Sequence, residues 1–136
     1  MDTDEHRWES EKSMVDDELN GITERIIGCA YKVSTVLGVG FLEKVYENAL
    51  AHELRKAGLK VEQQKRFRIF YDGVEVGYYD ADLVVEEKII VETKTVRAFD
   101  DIHMAQCLNY LKATGLTLGL LLNFATPKLG IKRVAR

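Results

Sequence analysis

Residues 81–85 (Ala-Asp-Leu-Val-Val) and 89–95 (Ile-Ile-Val-Glu-Thr-Lys-Thr) read as two short extended segments with apolar side chains on both faces, and only Glu86-Glu87-Lys88 separates them. Strands of that kind lie at the centre of a sheet that is covered on both sides. The charged triplet joins them as a hairpin, so they are antiparallel neighbours. The rest of the chain supplies the cover. Ile22, Ile26, Cys29 or Ala30, Val33 and Leu37 recur at helical spacing from Asn20 to Gly38. A second helix is predicted from Phe41 to about Ala57, with Leu42, Val45, Tyr46, Ala49, Leu50 and Leu54 on its apolar side and Gly58 as its stop. The period then shortens to two. Val61, Phe67, Ile69 and Tyr71 lead into the hairpin signal Asp72-Gly73, and Val74, Val76 and Tyr78 lead away from it. A third helix over about Phe99–Thr114, a buried strand within Leu116–Phe124 and a short edge strand, Ile131–Val134, complete the order. The expectation is an α/β domain with a mixed central sheet of about five to six strands flanked by helices.

A chain of 136 residues fits one such domain. Its net charge of -3 is unevenly spread. The first 20 residues hold eight acids against Arg7 and Lys12, so the remainder is mildly basic, which permits phosphate binding without demanding it. Residues 1–19 are expected to form an acidic, disordered tail and residues 20–136 the folded domain. The stretch Met1 to Leu19 lacks the basic start and apolar middle of a secretory signal. No apolar run approaches the roughly 20 residues of a membrane span. A cytoplasmic protein that does not cross a membrane is expected. Cys29 and Cys107 sit in apolar-periodic stretches and are expected to be reduced, buried thiols.

The charged residues within the two central strands carry the chemical interest. If the triplet is a three-residue loop, Val85 pairs with Ile89 and Asp82 lies opposite Glu92. Two adjacent carboxylates on an apolar sheet repel one another unless a cation or a shared proton intervenes. Lys94 shares a face with Glu92, because side chains two apart on a strand point the same way. Two carboxylates and an ammonium in a small space are the apparatus of metal-assisted phosphodiester hydrolysis. A surface ion-pair ladder is the competing reading. The apolar neighbours weigh against it, since an interior acid is rarely left without a partner or a purpose.

Asp82, nine intervening residues and then Glu92-Thr93-Lys94 resemble the Asp-x(n)-Glu-x-Lys pattern of PD-(D/E)XK phosphodiesterases, with Ala81 where that pattern has proline. Gly40-Phe41-Leu42-Glu43-Lys44-Val45-Tyr46 is similar to the motif of the GxxExxY family, small bacterial proteins within the same superfamily. Gln106 to Tyr110 resembles the Gln-x-x-x-Tyr element of bacterial recombination exonucleases. The resemblance runs from about Ile22 to Arg136 and implies a restriction-endonuclease-like core. It also implies hydrolysis of nucleic acid, foremost DNA, with Mg²⁺ or Mn²⁺ as cofactor. Asp82 and Glu92 would bind the metal with the Thr93 carbonyl, Lys94 would position water, and Gln106 and Tyr110 would orient the site. An acid from the first core helix would add a ligand: Glu43 occupies the motif position and is preferred, while Glu47 shares its helix face and competes. Related nucleases that cut both strands are often dimers, so a homodimer is compatible. A nuclease-like fold working only as a binding module is the alternative.

His103 falls on the same side of the third helix as Gln106 and Tyr110, where a structural role is the plainer expectation. Lys60, Lys65, Arg66 and Arg68 on the first hairpin arm, with Lys128, Lys132, Arg133 and Arg136 at the C-terminal end, could hold a nucleic-acid backbone or simply protect exposed sheet edges.

Overall fold

The structure, a computed structural model, describes residues 3–136, with side chains from Asp16 onward together with Met14. Helix α1 (Thr3–Leu37) begins upstream of the expected start at Asn20 and takes in most of the acidic segment read as a disordered tail; Met1 and Asp2 lie outside the described residues. Helix α2 (Glu43–Lys56) follows, then strands β1 (Val61–Tyr71), β2 (Val74–Val85) and β3 (Ile89–Lys94), helix α3 (Asp101–Thr114), and strands β4 (Leu118–Asn123) and β5 (Gly130–Ala135). The segments around Tyr78 and Ala81, predicted as separate strands, are one continuous β2, so the sheet has five strands.

Sheet order is β1-β2-β3-β4-β5, antiparallel throughout except for the parallel pair β3 and β4, whose crossover is α3. The sheet is therefore mixed, as expected. Helices α1 and α2 cover one face, where Ile26, Leu50 and Leu54 pack on Leu83, Val91 and Leu120. Helix α3 covers the other, with Cys107 and Leu111 against Ile90, Val84 and Leu121. Every residue of β4 is buried, which explains its apolar run from Leu118 to Leu122.

Local chemistry ends the elements where they end. Gly115, at φ 79°, stops α3 in the left-handed conformation with its N–H on the Leu111 carbonyl at 3.0 Å. At the other end of α3, Asp100 caps the helix and its backbone N–H donates to His103 Nδ1 at 3.1 Å, so His103 has the structural role expected of it. The glycine-rich loop before α2 is tied down by Tyr46. Its fully buried hydroxyl donates to the Gly38 carbonyl at 2.6 Å and accepts from Phe41 N–H at 3.2 Å, while its ring stacks on Phe124 at 4.8 Å.

One irregularity matters for the site. Val61 on β1 and Leu83 and Val85 on β2 pack toward α1 and α2, yet Phe67 and Ile69 on β1 and Tyr79 and Ala81 on β2 pack toward α3. All are odd-numbered, so both strands exchange faces between these groups. The exchange falls at Gln64 and Asp82, the one position missing from an otherwise continuous register between Val61↔Val85 and Ile69↔Gly77. Gln64 has φ 51°, and among the described residues it is the only non-glycine inside a strand with positive φ.

Candidate active site

Strands β2 and β3 pair in the register read from the loop: Val85↔Ile89, Val84↔Ile90, Leu83↔Val91. The ladder stops there, so the direct pairing expected of Asp82 and Glu92 is not formed. The face exchange is the cause, because it turns Asp82 out of the alternation that would set it squarely opposite Glu92. Asp82 Oδ2 instead accepts from the backbone N–H of Thr93 at 2.9 Å and from its hydroxyl at 3.1 Å. Thr93 is buried and alternates with Glu92 and Lys94, so Asp82 leans toward the α2 face while Glu92 and Lys94 look toward α3.

The two carboxylates remain neighbours. Glu92 is partly buried, and that burial, together with the charge and contact of Asp82, pushes its carboxyl up to about 8; a hydrogen bond from Tyr79 and the charge of Lys94 pull the other way. The Tyr79 hydroxyl donates to Glu92 Oε1. Burial first, then the Glu92 charge, holds the Tyr79 phenol well above its ordinary range, so it stays a donor. Its ring stacks in parallel on Tyr110 at 3.6 Å. Gln106 Nε2 lies 3.4 Å from the Tyr110 hydroxyl. Glu92, Tyr79, Tyr110 and Gln106, with Lys94, His103 and Cys107, line an open cavity of about 310 Å³ between the sheet and α3. Burial and then Glu92 push the Cys107 thiol up to about 11, which leaves it protonated and inert, while Cys29 is only partly buried.

The two helix acids are placed differently. Glu43 is exposed on the first turn of α2. Glu47, one turn on, is buried at 3% exposure and accepts from Lys44 Nζ at 2.9 Å, Gln63 Nε2 at 2.8 Å and Gln64 Nε2 at 2.8 Å. Gln64 Nε2 also reaches Asp82 Oδ1 at 3.3 Å, linking the helix carboxylate to the sheet carboxylate. Gln63 and Gln64 are consecutive and yet both meet Glu47. In a regular strand they would point to opposite faces; the positive φ of Gln64 brings them together at a cost on the order of 1 kcal/mol or more.

Gln64, Tyr79 and Asn123 also belong to the site, although no motif in the sequence marks them. Tyr79 is out of phase with Val74, Val76 and Tyr78, the period-two positions that lead away from the turn, which are all exposed. Tyr78 and Tyr79 are strand neighbours on opposite faces, and a register shift between Gly77 and Glu75 breaks the alternation that would connect Val74 to them; a glycine inside a strand is the signal that could have revealed the shift. Asn123 pairs with Lys94 across β3 and β4, and its amide donates to the Val96 carbonyl at 2.7 Å and accepts from Val96 N–H at 3.1 Å, fixing the chain just after Lys94. The hairpin-arm cations meet acids: Lys60 with Glu87, Lys65 with Glu62, Arg66 with Asp80 and Arg68 with Glu75. Arg133 donates to Asn20 and Arg136 to the Leu116 carbonyl.

Carboxylate oxygens of Asp82 and Glu92, with Glu47 joined to Asp82 through Gln64, are hard donors of the kind Mg²⁺ and Mn²⁺ take, and the Glu92 carboxyl is raised by burial first and then by the Asp82 charge, a repulsion that a cation would relieve. Among the described residues no three His, Cys, Asp or Glu side chains stand close enough to hold an ion as they are. The donor chemistry fits a divalent cation, therefore, with a side-chain adjustment. No helix among the described residues is long and apolar enough to cross a membrane.

No curated protein matches the chain. Among solved structures, the crystal structure of SSO0001 is similar in fold, with a TM-score of 0.55 and 19% identity over 69% of this chain. The match spans 50% of that chain, so this protein corresponds to about half of it. The sequence model of the PD-(D/E)XK nuclease superfamily matches residues 20–134. That range takes in β1 to β4, β5 up to Val134, α2, α3 and every residue of the site, and the chain belongs to the PD-(D/E)XK nuclease superfamily.

Proposed function

We propose that this domain is a divalent-cation-dependent phosphodiesterase acting on nucleic acid, with DNA as its substrate and Mg²⁺ or Mn²⁺ as its cofactor, and that it falls in the GxxExxY group of its superfamily. The observation that carries the reading is the placement of Lys94 and Glu92 on the wall of an open cavity, with Asp82 against Glu92. Asp82, Glu92 and the Thr93 carbonyl are the proposed ligands. From the helix, Glu47 takes the role in preference to Glu43, because Glu47 is buried and already joined to Asp82 through Gln64. When bound, the cation would polarise a phosphoryl oxygen and lower the pKa of a water molecule. Lys94 steadies the attacking oxygen and the charge that develops as the new P–O bond forms and the ester P–O bond breaks. Gln106 and Tyr110, on the opposite wall, orient the substrate.

Two observations favour the alternative, a binding module without turnover: no three candidate ligands converge among the described residues, and Tyr79 already bonds Glu92. The two readings separate in one assay. Plasmid and single-stranded DNA are incubated with wild type, Asp82→Ala and Lys94→Ala in Mg²⁺, Mn²⁺ or EDTA. Cleavage by wild type alone, abolished by EDTA, is expected. Binding of DNA with no cleavage under any metal condition would give the binding module the lead.

A further inference from the structure

Gln64 is held at φ 51° inside a strand, at the position missing from the β1 and β2 register between Val61↔Val85 and Ile69↔Gly77, and its amide nitrogen lies between two carboxylates. It is 2.8 Å from Glu47 Oε1 and 3.3 Å from Asp82 Oδ1, so each of its two N–H bonds is directed to a different acid. A planar NH₂ group between two carboxylates occupies the space a cation bridging them would fill, and it offsets part of their mutual repulsion. The other donors to Glu47 cannot do this: Gln63 and Lys44 meet its second oxygen, Oε2, and neither has a bond to Asp82 among the described residues. We propose that Gln64 is the positioning residue that holds Glu47 and Asp82 together in the metal-free protein, and that its amide is the group a divalent cation displaces. The proposal rests on the reading of Glu47 and Asp82 as ligands. It explains why the ligands do not converge on their own: the amide spaces them at hydrogen-bonding length, and convergence on an ion requires the Gln64 side chain to swing away.

Removing the amide should then remove an interaction that metal binding has to break. Gln64→Gly suits the test, because glycine is favoured at positive φ and the fold is kept. Gln64→Lys places a permanent ammonium in the same gap. Mn²⁺ binding is measured on the full chain by calorimetry, together with the rise in Tm that saturating Mn²⁺ produces over EDTA, a difference that cancels changes in backbone strain. Gln64→Gly is expected to bind Mn²⁺ about tenfold more tightly than wild type, with a larger rise in Tm, since two charge-assisted hydrogen bonds no longer compete. Gln64→Lys is expected to remain folded and to lose Mn²⁺ binding. Wild type that binds Mn²⁺ while Gln64→Gly binds equally or more weakly overturns the proposal and leaves the ligand reading standing, as does Gln64→Lys binding like wild type. Wild type that binds no Mn²⁺ overturns both.

Discussion

One oxygen of Asp82, Oδ2, accepts from both the backbone N–H and the hydroxyl of Thr93, at 2.9 and 3.1 Å. The middle residue of Glu92-Thr93-Lys94 thus acts on the acid of the neighbouring strand, fixing its rotamer and leaving Oδ1 to face Gln64. Thr93→Val keeps the side-chain shape and the backbone bond but deletes the hydroxyl donor. A loss of about 1–2 kcal/mol is expected from urea unfolding, near the lower range for hydrogen bonds to charged groups because Asp82 is partly exposed. Thr93→Ser, which retains the donor, should recover most of it.

The Glu92 carboxyl ties stability to pH in the metal-free protein. Its folded pKa is raised to about 8, so the folded state keeps a proton that the unfolded chain has released. The contribution is fully present below the ordinary glutamate range near 4.5 and is lost as pH rises through about 8. Unfolding free energy measured in EDTA should fall across that window by an amount on the order of a few kcal/mol. Glu92→Gln should flatten the decline. An equal decline in both proteins would assign the titration to another group.

Tyr46 is expected to matter through its hydroxyl rather than its ring. Tyr46→Phe leaves the stack on Phe124 but strips the Gly38 carbonyl and the Phe41 N–H of their partner. A destabilisation of about 1–3 kcal/mol follows, read as a lower urea midpoint at unchanged slope.

Gly119 on β4 has no room for a side chain. A Cβ there would lie 2.7 Å from Cys107 Sγ, beneath α3. Gly119→Ala should cost about 1–3 kcal/mol by overpacking. Adding Cys107→Ala opens the space, so the double variant should be more stable than the sum of the two single effects implies. Strict additivity would show that α3 shifts rather than clashes.

How much of this could be read from the residues depends on which force sets each feature. The register of β2 against β3 follows from a short charged loop between apolar strands, and the two-sided cover follows from their composition, so both were legible at Val85 and Ile89. Glu92 and Lys94 were placed together on one face by simple alternation, and they share the cavity wall. Alternation failed where the backbone departs from it. Gln64 sits in an unremarkable polar run, and nothing in Val-Glu-Gln-Gln-Lys announces a positive φ or the face exchange that redirects Asp82. Tyr79 lies beyond the register shift at Gly77, so alternation counted from Val74 does not carry to its face. Between Glu43 and Glu47, helical spacing gives a common face, and only the packing of α2 on the sheet separates an exposed acid from a buried one.

The central claim is that the acids gathered around Asp82 form a divalent-cation site, and Mn²⁺ titration by calorimetry on wild type, Asp82→Ala, Glu47→Gln and Glu43→Gln tests it most directly. One saturable site is expected in wild type, abolished in Asp82→Ala, weakened at least about tenfold in Glu47→Gln and unchanged in Glu43→Gln. Absence of binding in wild type, or binding that survives Asp82→Ala intact, would contradict the account and leave Asp82, Glu92 and Lys94 as a structural ion network.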